Sequence, residues 1–148
     1  MSANEKLAGK LNHLLANLVV EYHKLQNLHW YVKGPDFFQA HAKLEEYYDE
    51  INGTIDEIAE VLLQIGGQPL ASLGAVLSQA SLKERADGFV ASEEAFATVL
   101  ADYEALLAEV KDVKATADEF DCALVSAQMD GYIAAFSKAV WLLRQRAL

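Results

Sequence analysis

Gly66-Gly67-Gln68-Pro69-Leu70-Ala71-Ser72-Leu73-Gly74-Ala75-Val76-Leu77 opens the one long stretch, roughly residues 66–91, in which helical periodicity weakens. On either side of it the pattern is strong. Upstream, Leu11, Leu15, Leu18, Tyr22, Leu25, His29 and Val32 recur at steps of four and three, the stripe of an amphipathic helix that ends where Gly34-Pro35 begins. His41, Leu44, Tyr48, Ile51, Ile55, Ile58, Leu62 and Ile65 form a second stripe. Asp36 is its expected N-cap, with Gln39 as the capping-box partner, and Gly66-Gly67 closes it. Downstream, Phe96, Leu100, Tyr103, Leu107 and Val110 mark a third helix. A turn expected near Thr116-Ala117-Asp118 leads to a fourth, with Cys122, Val125, Met129, Tyr132, Phe136, Val140 and Leu143 on its face.

Connection lengths then settle the topology. The links from first to second helix and from third to fourth are tight, so each pair is an antiparallel hairpin. A second helix of about 29 residues is about 43 Å long at 1.5 Å per residue. A connection of some 25 residues, with a short helix expected within Pro69–Leu77, spans that length and returns the third helix parallel to the second. One long crossover in a four-helix bundle is the ferritin-like arrangement. The expectation is a single all-α domain over residues 1–148.

Composition narrows the function. With 53% hydrophobic and 23% charged residues the chain is globular. Its formal net charge of −10 repels nucleic acid and membrane phosphates but attracts cations. Cys122 is the only cysteine, which excludes an internal disulfide and a cysteine-based metal site. Met1-Ser2-Ala3-Asn4-Glu5-Lys6 has neither the basic region nor the apolar run of a signal peptide. No apolar run approaches the roughly 20 residues of a membrane span, so a cytoplasmic protein is expected.

Two histidines and three carboxylates carry the chemistry. His29 lies on the inward stripe of the first helix. On the second, His41 and Glu45 are four residues apart and share a face, and Asp56 and Glu60 repeat that spacing. Imidazole and carboxylate donors suit iron, manganese or zinc, and anionic oxygens favour iron because they stabilise the ferric product. Glu45 and Asp56 stand about 16 Å apart on one rigid helix, so they cannot bind one metal within one chain. His29 lies near the first hairpin turn, close to His41 and Glu45. A two-fold axis near the middle of the second helix would set these three against Asp56 and Glu60 of another copy, giving two identical sites per dimer. A di-iron bundle usually carries Glu-x-x-His within one chain, and this sequence has none. His13, His23 and Trp30 read as structural residues.

These segments resemble the Dps family, whose name means DNA-binding protein from starved cells. The likeness rests on Leu14-Leu15-Ala16-Asn17-Leu18, on Asn27-Leu28-His29-Trp30-Tyr31-Val32-Lys33-Gly34-Pro35 with Phe37-Phe38, and on His41-Ala42-Lys43-Leu44-Glu45-Glu46-Tyr47-Tyr48. Asp56-Glu57-Ile58-Ala59-Glu60, Ile65-Gly66-Gly67-Gln68-Pro69-Leu70 and Lys138-Ala139-Val140-Trp141 continue it over most of the chain. The resemblance implies a hollow homododecamer built from two-fold dimers, with inter-subunit ferroxidase sites that oxidise Fe(II) and store Fe(III) as mineral. Hydrogen peroxide is the expected oxidant in preference to oxygen. His29, His41, Asp56 and Glu60 match the family's ligands, and Glu45 stands where Asp is usual; zinc is expected to be able to occupy the same site. Asp118, Glu119 and Asp121 are the candidates for an acidic pore that admits iron, and Trp30 for a redox-active aromatic. A lysine-rich N-terminal tail, which often serves DNA binding in the family, is missing: Lys6 and Lys10 alone precede the body. Direct DNA binding is therefore not expected. The rival expectation is a nucleoid-associated DNA-binding protein to which iron is incidental.

Overall fold

The structure, a computed structural model, describes residues 3–146 and is the expected ferritin-like bundle with a helical crossover. Helix α1 spans Ala3–Tyr31, α2 Phe37–Gln64, α3 Leu73–Gln79, α4 Ser92–Glu119 and α5 Ala123–Arg146. Side-chain pairs give the directions. Lys6 meets Glu119 at 3.6 Å, His13 meets Glu109 at 2.6 Å and Lys24 meets Asp102 at 3.0 Å, so α1 and α4 are antiparallel. Gln128 and Tyr132 bond Glu57, and Arg146 bonds Asp36, so α5 runs antiparallel to α2. Since α1 and α2 form a hairpin, α2 and α4 are parallel and residues 66–91 make the return.

The core runs the length of the bundle. Leu11, Leu14, Leu18, Leu25, Leu44, Ile58, Leu62, Val99, Val113 and Met129 are completely enclosed. It is wider than the single stripes predict, because each helix packs on two neighbours and buries a broader face. Leu14, Leu28, Tyr47, Val99 and Leu106 are therefore inside, while Tyr22, Tyr48, Ile55, Leu100 and Leu107 are half-buried at the seam.

Two local expectations need correction, and one pairing was not expected. Asp36 precedes α2, but its side chain caps nothing. Its carboxylate accepts instead from Arg146 at 3.0 Å, which ties the α2 start to the end of α5. The third helix does not turn at Thr116-Ala117-Asp118: Thr116 and Ala117 are buried and continue the face of Val113, so α4 runs on to Glu119. The break falls at Asp121, whose φ of 57° ends the helix while the Cys122 amide returns to the Ala117 carbonyl at 2.8 Å. Finally, Val32–Lys33 and Val90–Ala91 form a two-residue parallel pair that clamps the end of α1 to the start of α4.

Three asparagines of α1 pin the crossover. Asn12 donates to the Gln68 carbonyl and accepts from the Leu70 amide. Buried Asn17 accepts from the amides of Ser81 and Leu82 and donates to Ser81 Oγ and Glu109. Asn27 donates to the Arg85 carbonyl and accepts from its guanidinium at 2.7 Å. Each satisfies loop amides or carbonyls that lack a helical partner. The short α3 is capped by Ser72, whose hydroxyl accepts from the Ala75 amide at 3.3 Å. Among the described residues no helix is long and apolar enough to cross a membrane.

Candidate metal centre

His29 sits in the last turn of α1 and His41 in the second turn of α2, and the hairpin brings their rings into parallel contact. The centroids are 3.7 Å apart and the planes 13° from parallel. His29 Nδ1 donates to the His41 carbonyl at 2.7 Å, and His41 Nδ1 donates to the His29 carbonyl at 2.8 Å. A carbonyl only accepts, so each Nδ1 carries a hydrogen, and in the neutral rings the lone pair is then left on Nε2. That tautomer, locked by an outer hydrogen bond, is the form in which imidazole binds metals. The His29 carbonyl is available because it belongs to the last turn of α1, where backbone acceptors lose their helical donors. Phe37 lies flat against the other face of His41, with centroids 4.9 Å apart.

Glu45 completes this half. Its Oε1 stands 3.8 Å from His29 Nε2 and accepts from the Tyr48 hydroxyl at 3.3 Å. Tyr48 also meets the His29 ring edge-on at 5.4 Å. Its phenol is pushed above the ordinary range, first by partial desolvation and then by the Glu45 charge. Phe37 and Tyr48 were not among the expected site residues. The spacing of Tyr48, three after Glu45 on a helix, was the available signal.

Asp56 and Glu60, the other half of the candidate site, stand one turn apart and are exposed. Hydrogen bonding with Asp56, and then its charge, hold the Glu60 carboxyl above its usual range. Such a pair has two ways to relieve its repulsion, a shared proton or a cation. Within one chain the two halves stay apart. Among the described residues, no group of three or more His, Cys, Asp or Glu side chains is close enough to hold a metal ion.

The remaining expected residues fall elsewhere. Trp30 is 66% exposed and packs into no core of its own chain. Asp118 and Glu119 end α4, and Asp121 sits in the turn before α5. Asp118 and Asp121 line a surface depression of about 320 Å3 together with Cys122, Ser126 and Asp130. Glu119 pairs with Lys6 instead, and Asp118 accepts a short hydrogen bond from Ser126. His13 is engaged by Glu109, and His23 packs edge-on against Tyr22.

Known proteins agree with this architecture. The ferritin-like domain family matches residues 8–146. A DNA protection during starvation protein from Brevibacillus brevis is 43% identical over 142 residues, covering 96% of this chain and 95% of that one. A second, from Bacillus anthracis, is 40% identical over 95% of this chain and 96% of its own. The crystal structure of a Dps protein from Bacillus brevis superposes with a TM-score of 0.95 at 41% identity, covering 100% of this chain and 99% of that one. That of the Vibrio cholerae Dps protein, described as a member of a broad superfamily of ferritin-like diiron-carboxylate proteins, gives 0.95 at 34% identity over 99% of this chain and 91% of that one. Fold, spacing and likeness along the whole chain coincide, and the chain belongs to the Dps family of ferritin-like proteins.

Proposed function

We propose that this protein is an iron-storing ferroxidase that completes its metal sites across two-fold dimers of a hollow homododecamer. One observation carries the reading: His29 and His41 hold each other by Nδ1 hydrogen bonds beside Glu45, with no further ligand in reach among the described residues of the same chain. Asp56 and Glu60 wait on the same helix, about 16 Å further along, where a two-fold partner is able to present them.

Iron is substrate here rather than a resident cofactor. The acidic surface concentrates Fe(II), and Asp118 with Asp121 lines the route by which it enters the shell. Asp56 and Glu60 of one copy hold the first ion with a histidine of the other; Glu45 and the remaining histidine recruit the second. Hydrogen peroxide takes one electron from each of two Fe(II) ions and, with two protons, leaves as two waters. No hydroxyl radical is released, so the protein protects its surroundings from oxidative damage. Trp30, held at the hairpin end near His29, is the aromatic that absorbs a stray oxidising equivalent, and Fe(III) then mineralises in the cavity. Zinc competes for the same donors, which suit both ions.

The test follows Fe(II) oxidation with peroxide and with oxygen separately, alongside native mass. The expected outcome is a dodecamer that turns over faster with peroxide. A monomer at micromolar concentration, or absence of metal-dependent oxidation, overturns the reading.

A nucleoid-compacting role does not fit the charge. With a net charge of −10 and only Lys6 and Lys10 in the first ten residues, phosphate contacts lack a cationic footprint. No electrophoretic shift of duplex DNA is expected at neutral pH and about 0.15 M salt. Tight binding under those conditions would restore DNA as a direct partner and the surface reading would be wrong.

A further inference from the structure

Glu21 is a charge-bearing residue with no part in the metal centre, and it lies completely inside the bundle. Neither of its carboxylate oxygens receives a hydrogen bond. Its neighbour is Asp102 of α4, itself nearly enclosed, whose Oδ1 accepts from the Lys24 ammonium at 3.2 Å. Lys24 also stands 3.0 Å from Oδ2, yet that oxygen has no hydrogen-bond partner in line. One ammonium therefore faces two carboxyl groups, one of which lacks any donor.

A buried carboxylate without a donor or counter-ion is the costliest state a core side chain can adopt, and the group takes up a proton instead. We propose that Glu21 is a neutral carboxylic acid whose proton bridges to Asp102 Oδ2, forming a proton-dependent cross-tie between α1 and α4. Lys24 neutralises Asp102, and the proton of Glu21 supplies the one hydrogen bond that both residues lack. Losing that proton places a second anion, with no cation of its own, in the middle of the bundle.

Lys24 is the one cation that eases that loss, and the other groups packed nearby supply none. On α4, the enclosed Tyr103 phenol adds no positive charge, and its ionisation is pushed up by burial first and then by Glu21. From α2, Tyr47 and Glu50, the second an anion, act on that same Tyr103 phenol. Phe136 of α5, in edge contact with Tyr103, is apolar. Outside the core, Lys24 borders a cavity of about 300 Å3 between α1 and the crossover, which Glu84, Arg85 and Asp87 also line. Arg85 there is already engaged by Asn27 and by two carbonyls of its own loop. Burial is accordingly the largest influence on Glu21, and it raises the carboxyl well above its ordinary range, followed by the Asp102 charge.

The sign of the pH effect follows. Unfolded, Glu21 ionises in the ordinary carboxylate range; folded, it keeps its proton far above that. Between those limits the folded chain binds one proton more than the unfolded chain, so the Glu21 contribution to stability falls as pH rises. It falls no further once the folded group has ionised. The cross-tie is a latch that the proton closes and a rise in pH opens.

Infrared spectroscopy of the assembled protein tests this without any variant. At neutral pH the spectrum should contain the carbonyl stretch of a protonated carboxylic acid, and this band should weaken reversibly through the alkaline range. The isosteric Glu21→Gln should lack it while keeping the fold. Amides of α1 around Leu18 and Leu25 should exchange faster in wild type than in Glu21→Gln at the same alkaline pH, with the difference vanishing at mildly acid pH. No acid band at neutral pH, or identical exchange of the two proteins throughout, overturns the proposal. If Glu21→Gln does not assemble, Asp102→Asn replaces it. The acid band should then shift because its acceptor has lost its charge; an unshifted band shows that the proton is not shared with Asp102 and equally overturns it.

Discussion

His41→Ala and Glu60→Ala homo-oligomers should each lose rapid Fe(II) oxidation by about tenfold or more, yet co-refolding the two should restore roughly a quarter of the sites. Each variant damages both sites of its own dimer, because each site takes one half from either chain. In a mixed dimer both lesions fall in one site, and the other receives His29, His41 and Glu45 from the Glu60→Ala chain and Asp56 with Glu60 from the His41→Ala chain. Random pairing makes half of the dimers mixed. A site built within one chain restores nothing, since every chain still carries its lesion. Helicity should survive in both variants: Glu60 is exposed, and His41 is half-buried against Phe37 rather than part of the enclosed core. Failure to recover oxidation, with mixed dimers confirmed by mass, would sink the shared site.

The parts of this molecule that periodicity controls are legible in the sequence alone. Leu11, Leu18, Leu25, Leu44, Ile58 and Leu62 lie in the core because a stripe recurring every three or four residues has one apolar face to bury. The crossover was legible for a simpler reason, that a rigid α2 obliges a long return. What spacing did not disclose is how backbone groups outside the helices are satisfied. Nothing in the pattern distinguishes Asp36 as the partner of Arg146 from Asp36 as a cap, and the pairing of Val32 with Val90 joins segments 58 residues apart. The Glu21 carboxyl is a deeper case. It occupies a core position in a helix otherwise read by its leucines, and only the placement of Asp102 and Lys24 explains how it is tolerated. At the candidate metal centre, spacing singled out the histidines and carboxylates as candidates, but not the reciprocal hydrogen bonds of the two rings, which depend on the register of the hairpin.

Asn17→Ala should destabilise the protein by about 2–4 kcal/mol, more than most surface changes, and should loosen the crossover first. The Asn17 side chain is buried and works on both sides at once. Its Oδ1 receives the Ser81 amide at 2.8 Å and the Leu82 amide at 3.0 Å, while its Nδ2 donates to Glu109 Oε2 at 2.9 Å. Alanine leaves both loop amides without an acceptor, at about 1–3 kcal/mol for each buried group. It also strips a donor from Glu109, which among the described residues then keeps only His13. Asn12→Ala provides the contrast. Its bonds to Gln68 and Leu70 lie nearer the surface, where water replaces them, so about 1 kcal/mol or less is expected. Thermal or denaturant unfolding of the assembled protein gives the totals; hydrogen exchange at Ser81 and Leu82, with proteolysis between residues 66 and 91, gives the location. Should Asn17→Ala unfold like wild type and leave those two amides protected, the crossover is held by the packing of Val76 on Ala16 and Val20 and not by the asparagine. Asn17→Asp separates the two functions further. Aspartate still accepts from both amides but turns a like charge toward Glu109, so the loop should stay protected while the α1–α4 contact weakens, and raising the salt concentration should recover part of that loss.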